Sequence, residues 1–202
     1  MTQVGLSAKR LAVAAADLAD EIGFGDVTMT ALAHRFEVQV ASLYAHVQNV
    51  GDLRTRVALL ALADLADRVA EAVAGRSGRD AVAALGNAYR EFAQLHPGRC
   101  EATRLPLDPD TAAHSDGVQI AALMRAALRD YHLGPADETH AVRIVGSVLH
   151  GFVALELAGG FEHSDPGSAA SWDRAIDALD IAFRHWPTTT ETVIRPVQGE
   201  PT

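Results

Sequence analysis

Apolar residues recur along this chain at intervals of three and four, and period-two alternation is nowhere sustained. That is the spacing of helix faces, not of half-buried strands, so the pattern predicts an all-α fold. A first helix is predicted over residues 7–22, with Leu11, Ala15, Leu18 and Ile22 as its stripe and Gly23 as its stop. A short second helix opens at Thr28, an N-cap residue type, and turns Leu32, Ala33 and Phe36 inward. Glu37-Val38-Gln39 breaks the pattern. A third short helix, 40–47, turns Leu43 and Val47 inward. The fourth, 50–74, is apolar first at Leu53, Val57 and Leu60, then at Leu62, Leu65 and Val69. Its buried face drifts, so its two ends are expected to serve two cores.

After a turn at 75–78, a fifth helix places Val82, Leu85, Tyr89 and Phe92 on one face and stops at Pro97. Residues 98–110 read as irregular, with room for one helical turn. A helix over 111–132 groups Ile120, Met124, Ala127 and Tyr131. The next runs from Gly134-Pro135 to about residue 158, with Asp137 and Glu138 in its favourable first turn. It is apolar nearly all round and is therefore expected to be buried. The last helix, 171–186, carries Trp172, Ile176, Leu179, Phe183 and Trp186 and stops at Pro187. Residues 188–202 read as a loose tail. The division expected is 1–50, 51–187 and 188–202.

Composition narrows the function class. One cysteine, Cys100, rules out an internal disulfide and fits a reducing, cytoplasmic setting. No unbroken apolar run reaches the roughly 18 residues of a membrane span. The first helix is amphipathic, with Asp17, Asp20 and Glu21, and is not a signal peptide. Net charge is −9, yet residues 1–57 carry five basic against six acidic side chains, so the front is nearly neutral and the rest strongly acidic.

Two short helices separated by a three-residue break, after a longer one, form the layout of a helix-turn-helix. Its second short helix must be apolar inside and small or hydrogen-bonding outside, so that its backbone can approach DNA. Leu43 and Val47 supply the inner side; Gln39, Val40, Ala41 and Ser42 supply the front edge. Tyr44 and His46 can each give a phosphate one hydrogen bond, and Thr28 and Thr30 stand at the start of the preceding helix. The bland alternative is that Tyr44 is a core residue and Ser42 a surface one.

The stretch AAADLADEIGFGDVTMTALAHRFEVQVASLYAHVQNVGDLRTRV, residues 14–57, resembles the N-terminal domain of the tetracycline-repressor-like (TetR) family. The resemblance rests on Gly23-Phe24, Val27-Thr28-Met29, Leu32-Ala33, Leu43-Tyr44, His46-Val47 and Asp52-Leu53. Leu149-His150-Gly151-Phe152-Val153-Ala154-Leu155-Glu156 with Gly159-Gly160-Phe161 resembles a C-terminal domain of one TetR branch marked by Trp, His and Gly, though no tryptophan precedes His150 in this helix. Two positions depart from the family pattern. Glu37 stands where glycine is usual, and a left-handed backbone there would cost on the order of 1–2 kcal/mol. Val50 stands where a lysine or arginine is usual.

The resemblance implies a homodimer that binds a palindromic double-stranded DNA operator, most often as a repressor, and releases it on binding a small molecule. It implies no cofactor, no membrane and no catalysis. The dimer bundle would use the small stripe Ser147, Gly151, Ala154 and Ala158 and the large stripe Trp172, Ile176, Leu179 and Phe183; the alternative is that both are internal core. Candidates to line the ligand pocket are Tyr89, Phe92, His96, Arg104, Met124, Tyr131 and His150, the last of which can equally be satisfied by a local hydrogen bond. Two rivals remain: a TetR-like dimer that senses or sequesters a ligand without binding DNA, favoured by Glu37 and Val50, and a helical metal-dependent enzyme. For the latter, no HExxH, no paired ExxH, no nucleophile–base arrangement and no phosphate loop is present.

Overall fold

A computed structural model describes residues 6–187, which form ten α-helices and no strand. Helix α1 (Ala8–Ile22) opens where the Ser7 hydroxyl accepts the Arg10 amide and closes at Gly23. A short 3-10 turn leads to Thr28, whose hydroxyl oxygen accepts the Ala31 amide at 3.1 Å and opens α2 (Met29–Arg35). The chain then turns at Glu37, at φ 55°. Helix α3 (Val40–Leu43) is half the length expected; turns replace it over 44–46, yet Leu43 and Val47 remain fully buried. The chain must leave the helix by Asn49, because that residue is extended to cap α4 (Val50–Val73). Its side chain accepts the Asp52 amide, and the Asp52 carboxylate accepts the Gln48 amide, both at 2.9 Å.

Helix α4 contacts α1 as well as α5 (Gly78–Leu95) and α8 (Gly117–Ala127). The drift in its apolar face is thus real, but the two cores it serves are joined: one buried cluster runs from Leu11 to Phe183. Pro97 both ends α5 and occupies the first turn of α6 (Pro97–Ala102), where its missing N–H costs nothing. The single helix expected over 111–132 is divided. Helix α7 (Pro109–Ala113) stops, and α8 begins after Ser115, which is buried with its hydroxyl donating to the Ala112 carbonyl at 2.8 Å. A 3-10 turn follows α8 and ends at His132, at φ 54°.

Helices α9 (Pro135–Leu157) and α10 (Ser168–Arg184) complete the described chain. The stripe Trp172, Ile176, Leu179 and Phe183 is 1–5% exposed within a single copy. These four therefore belong to the internal core and are not a free dimer face. Helix α5 occupies that face. The Trp172 indole donates to Asn87 Oδ1 at 2.7 Å, and Gly86 lets the helices close in, since a Cβ there would lie 3.1 Å from Ile176, Leu149 and Trp172. Each large apolar side chain so buried contributes roughly 1.5–3 kcal/mol.

The expectation that α9 is buried all round also fails. Ala141, Val145, Leu149 and Val153 face the core, whereas Ile144, Ser147, Gly151, Ala154, Leu155 and Ala158 are exposed. Among the described residues no further layer covers this face. By length and mean hydropathy, 1.3 over its best window, α9 could cross a membrane, but its polar residues Arg143, His150 and Glu156 are spread along it. The expected loose tail lies outside the described residues.

Candidate functional site

The helix-turn-helix edge is built on two anchors, Leu43 and Val47, at 0% and 2% exposure. Around them Gln39, Ala41, Ser42 and Tyr44 are exposed, Tyr44 by 53%. Val40 and His46 are half-buried, and Val40 packs against the core, so it supports the edge more than it presents it. Thr28 and Thr30 are exposed beside the edge; the Thr28 oxygen is already engaged as the α2 cap. Most acids nearby are paired. Arg35 holds Glu21 at 2.7 Å, and Arg56 holds Asp52 at 2.9 Å. Arg54 fastens the loop before α2 by donating to the Gly25 and Val27 carbonyls.

This edge is fixed to the rest of the chain through α6. The Arg99 amide donates to Asp20 Oδ1 at 2.8 Å, and His96 Nδ1 lies 3.0 Å from Asp20 Oδ2. The Arg99 guanidinium reaches Asp20 at 3.2 Å and also bonds Asp17. Gly98 brings the two backbones together, since a Cβ there would lie 2.0 Å from the Ala19 carbonyl oxygen. Two expected ligand residues belong to this contact instead. His96 is engaged with Asp20, and Phe92, fully buried, lies under the Arg68 guanidinium with 5.6 Å from its centre to the ring.

Four residues beyond Arg99, at Thr103, the chain enters the wall of a cavity of about 240 Å³. The cavity lies among α4, α5, α8, α9 and the segment after α6. Of the seven expected residues it gathers four: Tyr89, Arg104, Met124 and His150. Tyr131 is elsewhere. Its hydroxyl donates to Asp180 Oδ1 at 2.8 Å, and its ring meets the Phe183 edge at 5.4 Å between centroids. Burial and the Asp180 carboxylate raise its pKa. The rest of the wall is mostly apolar, with Leu62, Leu65, Val69, Leu85, Ile120 and Leu149. Thr103, Gly117 and Gly146, which no stripe had marked, also line it.

Two polar wall residues, Tyr89 and His150, form a short chain with the buried Cys100. The buried Cys100 thiol donates to the Tyr89 hydroxyl oxygen at 3.3 Å, and Tyr89 Oη lies 2.6 Å from His150 Nδ1. With its oxygen accepting from Cys100, Tyr89 spends its proton on Nδ1, which leaves the neutral imidazole protonated at Nε2. Burial first, and the Arg104 charge second, keep His150 below the ordinary imidazole range. Burial also raises the Tyr89 and Cys100 pKa values, so both stay protonated. His150 therefore fulfils both readings at once, lining the cavity and hydrogen-bonding locally. Among the described residues, no group of three or more His, Cys, Asp or Glu side chains could hold a metal ion.

Residues 82–179 match the family described as "Tetracyclin repressor-like, C-terminal domain". The chain is 32% identical over 164 residues to the uncharacterized HTH-type transcriptional regulator YobS of Bacillus subtilis, covering 81% of this chain and 85% of that one. It is 36% identical over 164 residues to the uncharacterized HTH-type transcriptional regulator Rv0681 of Mycobacterium tuberculosis, covering 79% and 74%. Among solved structures, a TetR variant from Acinetobacter baumannii in complex with minocycline superposes with a TM-score of 0.69 at 21% identity, over 92% of this chain and 100% of that one. Mycobacterium smegmatis BioQ gives 0.67 at 20% identity, over 89% and 98%. These two likenesses show the fold. The sequence relatives and the match over residues 82–179 mean that the chain belongs to the TetR family of helix-turn-helix transcriptional regulators, which are not enzymes.

Proposed function

We propose that this regulator is a ligand-responsive repressor: a homodimer that binds a palindromic operator in the cytoplasm and leaves it when a small molecule occupies the α4–α9 cavity. The observation that carries the reading is the path of one short segment. Helix α6 is locked to α1 by Gly98 and Arg99, and the residues that follow it, Thr103 and Arg104, are cavity wall. A ligand that moves Arg104 therefore pulls on the element holding the DNA-binding domain. It can shift the equilibrium only by its differential affinity for the two states.

In this reading Gln39, Ala41 and Ser42 read base edges, while Tyr44, His46, Thr28 and Thr30 hold phosphates. The second copy docks on the exposed face of α9, where Ser147, Gly151, Ala154 and Ala158 allow close approach, and on Ala178, Ile181 and Ala182 of α10. The two recognition helices must then stand about 34–36 Å apart to meet successive major grooves.

The test is selection of bound duplexes from a random pool by the purified protein at moderate salt. An enriched two-fold-symmetric site is expected, with Gln39→Ala or Ser42→Ala altering the preference at one position per half-site and Tyr44→Phe weakening all sequences alike. No enrichment from a proven dimer would favour the second reading, a ligand sensor without DNA binding. Two observations speak for that reading: the left-handed Glu37 and the exposed apolar Val50 at the head of α4.

A further inference from the structure

We infer that the cavity takes a small amphipathic acid, with an anionic head at Arg104 and His150 and an apolar body among Leu62, Leu65, Ile120 and Met124. The inference rests on the ligand-responsive reading above and names the chemical class of the ligand.

Three observations carry it. First, Arg104 is an unpaired cation in a strongly acidic chain. Its net charge is −9, yet the Arg104 side chain makes no ion pair or hydrogen bond among the described residues. By contrast, the nearby guanidinium groups of Arg68, Arg90 and Arg99 are each held by a carboxylate. No Asp or Glu lines the cavity to compete for Arg104.

Second, the wall offers donors. His150 Nε2 is buried with no partner, and the Tyr89 contact at Nδ1 leaves Nε2 as the N–H end of the ring. Thr103 already donates its hydroxyl proton to the Cys100 carbonyl at 2.7 Å. A buried N–H without a partner is costly, and an incoming acceptor removes that cost. A guanidinium with a second donor is the donor set for a carboxylate or similar oxyanion, and it excludes an ammonium head.

Third, the size and lining fit a small apolar body. A dry cavity of about 150 Å³ accommodates benzene. This one, at about 240 Å³, has space for one ring with a short side chain, or for a medium-length alkyl chain.

The test compares matched probes that differ only in the head group: octanoate, octan-1-ol and octylamine, with 3-phenylpropionate and 3-phenylpropan-1-ol as the one-ring pair. Binding is followed by calorimetric titration and by the thermal midpoint of the full-length protein. The acids are expected to bind at least about tenfold tighter than their alcohols, as a charge-assisted hydrogen bond requires. Octylamine is expected to bind weakest. Arg104→Gln should erase the advantage of acid over alcohol and leave the affinity for the alcohol within about twofold. Arg104 is exposed, so the unliganded midpoint of that variant is expected to match wild type and to certify its fold. Equal binding of acid and alcohol, a preference for the amine, or an acid preference that survives Arg104→Gln would overturn the inference while leaving the cavity a ligand site. If none of the five probes binds, the inference is lost and the ligand-responsive reading of the cavity is lost with it.

Discussion

Gly98 and Ala19 meet backbone to backbone: a Cβ on residue 98 would lie 2.0 Å from the Ala19 carbonyl oxygen and 2.6 Å from the Asp20 nitrogen. Backbone cannot yield as a flexible side chain can. Gly98→Ala is therefore expected to push α6 off α1 and to destabilise the protein by about 1–3 kcal/mol, the range for overpacking a close contact. Urea unfolding measures this. A variant as stable as wild type would mean that α1 and α6 separate freely and that α6 does not grip the DNA-binding domain.

Glu37 sits at φ 55°, a conformation that disfavours a side chain. Glu37→Gly should raise stability by up to about 1 kcal/mol, since relief of strain outweighs the added freedom of the unfolded chain. It also removes a negative charge beside the recognition helix. Operator affinity is expected to hold or rise; a fall in either stability or affinity would mean that the Glu37 side chain makes a contribution of its own.

Ile181 and Leu179 lie two residues apart on α10 and face opposite ways, at 58% and 5% exposure. Ile181→Glu is expected to yield folded monomers by light scattering. Leu179→Glu buries a charge among apolar neighbours and is expected to unfold the chain outright. If Ile181→Glu remains dimeric, the second copy docks elsewhere.

Arg90 holds the Glu156 carboxylate at 2.8 Å, with Arg90 also placed over the Trp172 ring. The Arg90 hydrogen bond keeps the Glu156 pKa below its ordinary value of 4.5, against the opposing effect of burial. A depressed carboxylate pKa contributes stability that is complete above the ordinary value and lost as pH falls through the lowered one. Asp180, held down first by Arg184 and also by Tyr131, follows the same rule. Glu156→Gln should cost about 2 kcal/mol at pH 7. The gap to wild type should close as the pH drops below about 4. A gap independent of pH would mean that Glu156 acts through packing.

The helix faces were largely legible because burial follows period, as the stripes from Leu11 and from Trp172 illustrate. What periodicity cannot tell is which body covers a stripe. Trp172 through Phe183 reads equally well as an interface or as core, and the packing of α5 over it, at Gly86 and Asn87, decides for core. The small stripe of α9 carries the opposite lesson, since Ser147 and Gly151 are exposed on a helix whose composition suggested burial. Within the cavity, Tyr89, Met124 and His150 were accessible to pattern because they sit on amphipathic helices. Thr103 and Gly146 were not, because one lies beyond a helix end and the other has no side chain. His96 and Phe92 were misjudged for want of Asp20 and Arg68, partners 76 and 24 to 28 residues away in sequence.

The α1–α6 contact has an electrostatic side. Residues 1–57 hold five bases against six acids, and two of those acids, Asp17 and Asp20, are answered by Arg99 from outside that segment. The helix-turn-helix thus borrows a cation from the domain it is docked on. Excised as a fragment, it would meet the phosphate backbone with two uncompensated carboxylates on α1, and its DNA affinity would fall most steeply at low ionic strength, where such repulsion is least screened. In the proposed reading the helix-turn-helix takes its shape from α1 to α4, but its charge is balanced only when Arg99 is in place.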